Sequence, residues 1–563
     1  MRILLLASAF NSLSQRLYAE LRDRRHRVDV QLADDGEELT EVVARLRPDL
    51  LLAPMLRTAI PEEVWSRLTC LVVHPGPPGD RGPSSLDRAI QEGRTDWGVT
   101  VLQAEREMDA GPVWAWAPCR LPERGKSDVY RNEVSDAAVT AVLLAVERVA
   151  SGSHAPQPQH GPGWRGTVRT RPALRQPERR IDWAADPTAT VLRRLRAADS
   201  RPGVLDELGG AEWYLHGGHR ERLLRGRPGE LLATRAGAVC RATADGAVWI
   251  PELRRRRTPG GPATVKLPAV TALGALLPAV PERPAPLMPE PGEHPGWSDL
   301  RYREEGPVGF LHFSFPGGAM SAEHCRRLLA AYRFALGRPT TVLVLGGGRD
   351  FFSNGIHLNV IEAAADPAAE SWANITAMDD LVAEVLTTTD RLVVAALGGN
   401  AAAGGVMLAL AADEVWCRRG VVLNPHYRLM GLYGSEYWTY TLPRRVGAAE
   451  AERLTHQALP VSAAAAERLG LVDRVLDAVP EDFGAGAAHL AGLLAASPGT
   501  QHRIAAKKAT RAADERTKPL DAYREAELAV LHRQFFTPES PYHALRSAFV
   551  RKHPVPAGLR PQP

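Results

Sequence analysis

From Arg2 to Val149 short, continuously apolar runs alternate with stretches of helical spacing: RILLLAS, a helix around Gln15 to Asp23, RVDVQLA, a helix around Leu39 to Arg47, then DLLLAP and LTCLVVHPG. Unbroken β-rich runs separated by helices predict a parallel sheet covered on both faces, and such sheets take ligands at the carboxyl ends of their strands. A second region of this kind opens after Arg301. It begins with VGFLHFSFPGGAMS and a helically spaced stretch from Ala322 to Leu336. TTVLVLGGGRDFFSNGIHLNVIEA and RLVVAALGGNAAAGGVMLALAADEVWC follow, each passing from a β run through small residues into a helix start. Between the two regions, runs such as GELLATRAG and GAVWIPELR predict a small β domain. PAVPERPAPLMPEPGEHPGW, Pro278 to Trp297, has the proline density of a semi-extended linker and marks a domain boundary.

Length adds that 563 residues should hold about three or four domains. With 45% hydrophobic and 24% charged residues the composition is that of a globular protein. Net charge is +4, from 69 basic and 65 acidic residues interspersed, which excludes a nucleic-acid footprint; the short run Arg254 to Arg257 reads as a solvated face. Cys70, Cys119, Cys240, Cys325 and Cys417 stand far apart, with no spacing for zinc or a redox pair, and point to a reducing cytosol. MRILLLASAFNS reads as a buried strand and not a signal peptide. No apolar run approaches the ~18 residues of a membrane span. The expectation is a cytoplasmic protein with no metal, no membrane and no nucleic acid.

Candidate chemistry lies in three places. His74-Pro75-Gly76 ends a strand and is held by a Pro/Gly-rich loop, so His74 faces the cleft; Met108-Asp109-Ala110-Gly111 is a tight connection whose Asp109 can orient that His and hold a proton. The loop after the first strand, Ser8 to Ser12, lacks a glycine fingerprint, which argues against a tightly bound dinucleotide. The two later glycine turns offer backbone N–H groups at helix starts, where an oxyanion is held. The richest stretch is VVLNPHYRLMGLYGSEYWTYTLPRRVG, Val421 to Gly447, a turn-rich loop entering a helix. It packs His426, Tyr427, Tyr433, Glu436, Tyr437, Trp438 and Tyr440 around Gly431 and Gly434 in a chain that is only 6% aromatic. Apolar rings around Glu436 would raise its proton affinity enough for acid/base work near neutral pH. The bland alternative makes the rings core and Glu436 a capping residue.

HPGPPGDRGPSSLDRAI followed by MDAGPV resembles the catalytic core of the enzymes that use 10-formyltetrahydrofolate. The resemblance implies catalytic roles for His74 and Asp109. The Asn expected two residues before the His is Val72, so either another donor to the formyl oxygen substitutes, with Asn11 or Arg131 as candidates, or the reaction is altered. Ile181-Asp182-Trp183 and Arg196 to Gly203 are similar to the C-terminal β-barrel domain of that family. The two glycine turns, the Val421 to Gly447 stretch and AAERLGLVDRVL resemble the enoyl-CoA hydratase/isomerase (crotonase) superfamily from Arg301 onward. Carried over by position, Ile356 and Gly404 supply the oxyanion-hole N–H groups, next to Gly355 and Gly405. The two catalytic glutamates of hydratases fall at Met407 and His426, which excludes ordinary hydration; Met407 is core, and Glu436 with His426, Tyr427 and Tyr437 is the remaining polar equipment. Arg349, Lys507 and Lys508 are the cations available to the phosphates of coenzyme A.

The fusion of these parts resembles the hydrogenase maturation factor family HypX/HoxX over nearly the whole chain. It implies a multidomain α/β protein: a formyltransferase-type Rossmann-like parallel sheet (1–155), a small β-barrel domain (160–275), a proline-rich linker (276–300) and a crotonase-type ββα spiral with C-terminal helices (301–563). The implied activity is formyl transfer from 10-formyltetrahydrofolate to coenzyme A, then decarbonylation of formyl-CoA to CO and CoA for a [NiFe]-hydrogenase, with hydrogenase maturation proteins or the hydrogenase large subunit as partners. The alternatives are a formyl-folate hydrolase fused to a thioester hydrolase that releases formate, and a crotonase half that only binds CoA or a protein.

Overall fold

The computed structural model describes residues 1–33, 38–161, 164, 166–289 and 296–555. They form two compact units: Met1–Arg220 with Leu224–Leu232 and Arg241–Ile250, and the remainder from Glu221–Leu223, Ala233–Cys240 and Pro251 onward.

The first unit is built on a six-stranded sheet. Strand Arg2–Ala7 lies between Arg27–Leu32 and Leu50–Met55, followed outward by Cys70–His74, Asp96–Gln103 and Val113–Arg120. Ile3, Leu4 and Leu5 are fully buried at its centre, as a strand covered on both faces requires. The first four strands in this order are parallel; Asp96–Gln103 pairs antiparallel with both Cys70–His74 and Val113–Arg120, so it alone runs against the rest. The expected parallel sheet is thus mixed at this one strand, and the nine residues between Gln103 and Val113 close a hairpin, being too few for a parallel crossover. Strand Cys70–His74 ends at His74, and helix Ser85–Gln91 follows its loop. Strands Val204–Leu208 and Ala211–His216 pair antiparallel farther on.

The second unit stacks two sheets. The larger runs Leu300–Glu305, Val308–Phe313, Val342–Gly346, Leu392–Leu397, Glu414–Arg418 and Arg474–Leu476, parallel after its first hairpin. The smaller is Phe351–Ser353, Asn400–Ala402, Val422–Asn424 and Val461–Ser462. Each turn of this spiral adds one strand to each sheet and then a helix. The main core lies among these strands and the helices Ala322–Leu336, Pro367–Thr387 and Gly404–Leu410. Pro278–Trp297 is the stretch whose proline density reads as a semi-extended linker. Its residues 290–295 lie outside the described residues, but Leu287 packs on this core and accepts from the Tyr302 N–H at 2.7 Å, while Trp297 is buried. The division between the compact units falls earlier, within the β segment around 220–250. No helix among the described residues is long and apolar enough to cross a membrane.

Candidate active sites

In the first unit the loop after strand Cys70–His74 folds back on its own histidine. His74 is 4% exposed, with Asp80 Oδ2 at 3.2 Å from Nε2 and Asp109 Oδ1 at 3.4 Å from Nδ1. Asp109 sits at φ +59°, where the tight connection turns, and its other oxygen accepts the Gly82 N–H at 3.1 Å. Asp80 also accepts from Ser85 Oγ and from Arg171 Nη2 at 2.7 Å. Burial opposes a charge on His74, but the hydrogen bonds it donates to Asp109 and Asp80 outweigh it and lift the imidazole to about 9. Both carboxyls fall below their usual range, burial being overcome by the bond to His74 and, for Asp80, by Ser85 and Arg171. The centre is therefore an imidazolium between two carboxylates at neutral pH.

Sequence reasoning found His74 and Asp109 and missed three partners. Asp80 and Arg171 lacked any periodic signal. Gln159, 1% exposed, accepts the Gly79 N–H and donates to the carbonyls of Asp109 and Gly111, tying the two loops together. Val72 is half-buried on the preceding strand and brings no polar group. Asn11 is a helix cap: Oδ1 accepts from the Ser14 N–H and hydroxyl, and Nδ2 donates to Tyr130 Oη at 3.2 Å. Arg131 follows Tyr130 and donates to the Ser127 carbonyl. The structure thus joins Asn11 to the Tyr130–Arg131 segment and gives neither a bond to His74.

In the second unit the two glycine turns meet. A Cβ on Gly355 (φ +76°) would stand 3.0 Å from the Gly404 nitrogen, and Met320 N–H holds the Gly355 carbonyl at 2.8 Å beside Ile356. Gly404 opens helix Gly404–Leu410, so its N–H has no partner within the helix, and Gly405 packs on the Ser353 carbonyl. Glu436 arrives at the same point: a Cβ on Gly404 would lie 2.1 Å from Glu436 Oε1. Its other oxygen accepts from Tyr427 Oη at 2.7 Å and from the Ser435 N–H at 3.2 Å. Glu436 is 1% exposed, and burial pushes it up to about 7 against the Tyr427 bond, helped by the charge of Glu527.

Glu436 and Tyr437 are consecutive non-glycine residues at φ +58° and +59°, a conformation that costs roughly 1–3 kcal/mol each. The sequence pointed to a glycine turn at 431–434 and not to this pair. Tyr437 is buried, whereas Tyr433 is 39% exposed and stacks edge-on to Trp438. His426 Nδ1 bonds the Asn424 carbonyl at 2.9 Å, which makes that nitrogen the donor and Nε2 the acceptor; burial keeps the ring neutral. Met407 is fully buried core. Arg349 lies in the loop before strand Phe351–Ser353, while Lys507 Nζ is bonded to Asp413 at 2.6 Å and to the Arg391 carbonyl, not to the glycine turns, and Lys508 is exposed.

Residues 31–146 match the formyl transferase family, 173–260 the formyl transferase C-terminal domain and 316–554 the enoyl-CoA hydratase/isomerase family. The hydrogenase maturation factor HoxX of Bradyrhizobium diazoefficiens is 50% identical over 561 residues, covering 98% of this chain and 95% of that protein. The chain belongs to the HoxX/HypX family of hydrogenase maturation factors. HypX from Aquifex aeolicus, solved in complex with tetrahydrofolic acid, superposes with a TM-score of 0.93 at 43% identity, over 100% of this chain and 98% of that one. Methionyl-tRNA formyltransferase of Aromatoleum aromaticum is 26% identical over 230 residues, 39% of this chain and 69% of that protein. The HoxX/HypX family likeness therefore spans both candidate sites, and the likeness to that formyltransferase covers a smaller part of the chain.

Proposed function

We propose that this HoxX/HypX family member makes carbon monoxide for hydrogenase maturation, moving a formyl group from 10-formyltetrahydrofolate to coenzyme A in its formyltransferase part and decarbonylating formyl-CoA in its crotonase part. In the first step the thiol sulfur attacks the formyl carbon and the folate nitrogen leaves. The proton lost by the thiol is the one the nitrogen needs, so the His74–Asp109 pair can pass it across with no net change. Where the related enzymes place an amide, Val72 offers nothing. A charged His74 meets that need when the formyl oxygen displaces Asp80 from Nε2, because Asp80 stays held by Ser85 and Arg171.

In the second step the ionised Glu436 takes the formyl proton. The C–H electron pair becomes the carbon lone pair of CO, the C–S pair leaves with sulfur, and Glu436 returns the proton to the thiolate. Ile356 and Gly404 N–H groups hold the carbonyl oxygen. The observation that carries this reading is the buried Glu436 carboxyl set against Gly404, with a proton affinity near neutrality and no glutamate at Met407 or His426. Arg349 and Lys508 remain the cations for the CoA phosphates.

One observation favours hydrolysis to formate: neutral His426 presents an accepting Nε2 at the position where hydratases carry a water-handling glutamate. Formyl-CoA supplied directly to the protein separates the readings. Decarbonylation gives CO and intact CoA, lost in Glu436→Gln; hydrolysis gives formate, lost in His426→Ala.

A further inference from the structure

Two carboxylates outside the reaction converge on the backbone that carries Glu436. Asp379, on helix Pro367–Thr387, accepts the Glu436 N–H at 2.9 Å and the Ser435 hydroxyl at 3.0 and 2.9 Å on its two oxygens. Glu527, on helix Leu520–Phe536, accepts the Tyr437 N–H at 2.9 Å, the Thr439 N–H at 2.9 Å and the Thr439 hydroxyl at 2.5 Å. Asp379 is 0% exposed and Glu527 1%. Each therefore grips the N–H of one of the two left-handed residues, and each comes from a helix distant in sequence.

We propose that Asp379 and Glu527 are positioning residues that hold Glu436 and Tyr437 in their left-handed pair and so aim the Glu436 carboxyl at Gly404; this rests on the reading of Glu436 as the decarbonylation base. Burial raises both carboxyls, Asp379 well above the usual carboxylate range and Glu527 to about 7, and both serve as acceptors for this backbone. Their second effect is electrostatic. The titratable groups that couple to Glu436 are Cys325 from helix Ala322–Leu336, Asp379 from helix Pro367–Thr387, Tyr427 from its own loop and Glu527 from helix Leu520–Phe536. Arg524 Nε is 3.9 Å from Asp379 and its guanidinium is bonded to Asp380, so it offsets Asp379 more than Glu527. Burial is the main reason that the proton affinity of Glu436 lies near neutrality, and Glu527, when ionised, adds to it by repelling the ionised form of Glu436.

The test uses the full-length chain with formyl-CoA and follows CO. Asp379→Ala and Glu527→Ala free the backbone pair and should lower kcat about 10²-fold with KM unchanged, as a displacement of about 1 Å of a catalytic group does. Asp379→Asn and Glu527→Gln keep an acceptor oxygen and should restore most of that rate. Glu527→Gln should also move the rising limb of the kcat–pH profile to lower pH, because removal of a neighbouring negative charge favours the Glu436 carboxylate. That movement is decisive if an Ala variant does not fold. Wild-type kcat in folded Ala variants, or an unmoved limb in Glu527→Gln, overturns the proposal. Glu436→Gln is run beside them: CO release at the wild-type rate in that variant removes the underlying reading instead.

Discussion

His74 illustrates how two residues six and 35 positions away redefine one side chain. A lone strand-end histidine would be half neutral near pH 6.5, but between Asp80 and Asp109 it holds its charge to about 9. A raised folded-state value stabilises the protein below the unfolded value near 6.5, and that contribution fades as pH climbs through about 9. The interval corresponds to about 3 kcal/mol. Urea unfolding of the wild type should therefore lose stability between pH 6.5 and 9, and His74→Gln should flatten that slope; an equal slope in both would place His74's charge elsewhere. For activity, Asp80→Asn removes one of the two charges holding the proton, so the alkaline limb of formyl transfer should move to lower pH. His74→Ala should cost ~10²–10⁴-fold in transfer. The histidine and Asp109 were legible in the sequence because one ends a strand and the other sits in the tight connection between two strands, each beside a Pro/Gly turn. Asp80 was not, because only the fold of the loop Gly76 to Gly79 brings it back on His74.

At the scale of elements, the crotonase part works by bringing loop ends together. The strand Phe351–Ser353, the start of helix Gly404–Leu410 and the loop before helix Trp438–Val446 converge where Gly404 leaves room for the Glu436 carboxyl. Gly404→Ala would place a methyl 2.1 Å from Glu436 Oε1. CO release from formyl-CoA should then fall by about 10²-fold while formyl transfer is unchanged; retained release would mean that the carboxyl is not used at this point. The glycine turns announced themselves by spacing, and so did the order of strands and helices. The carboxyls Asp379 and Glu527 did not: they lie on helices whose buried positions are mostly apolar, and only the three-dimensional packing makes them acceptors for the 435–439 backbone. Lys507, expected among the cations for CoA, ties helix Thr500–Thr517 to Asp413. Lys507→Met should lower the melting temperature by the equivalent of about 1–3 kcal/mol with CoA affinity unchanged. A salt-dependent loss of affinity would return Lys507 to the phosphates.

Across the whole molecule, the family likeness runs from end to end, and the two chemistries proposed for it share one reactive intermediate. Formyl-CoA is a small, readily hydrolysed thioester, and a second site on the same chain raises the effective concentration at which it is met. The sequence order of formyltransferase, β and crotonase segments was readable from apolar patterning and motifs. The place where the chain divides into compact units was not, because proline density marks an extended backbone whether or not that backbone packs, and Leu287 and Trp297 pack. In the proposed function one carbon passes from folate to CO through both sites. The direct test supplies ¹³C-formyl-tetrahydrofolate and CoA to the full-length chain and follows the headspace. Labelled CO from the wild type is expected, with none from His74→Ala, and with formyl-CoA but no CO from Glu436→Gln. Labelled formate with no CO from the wild type would contradict it.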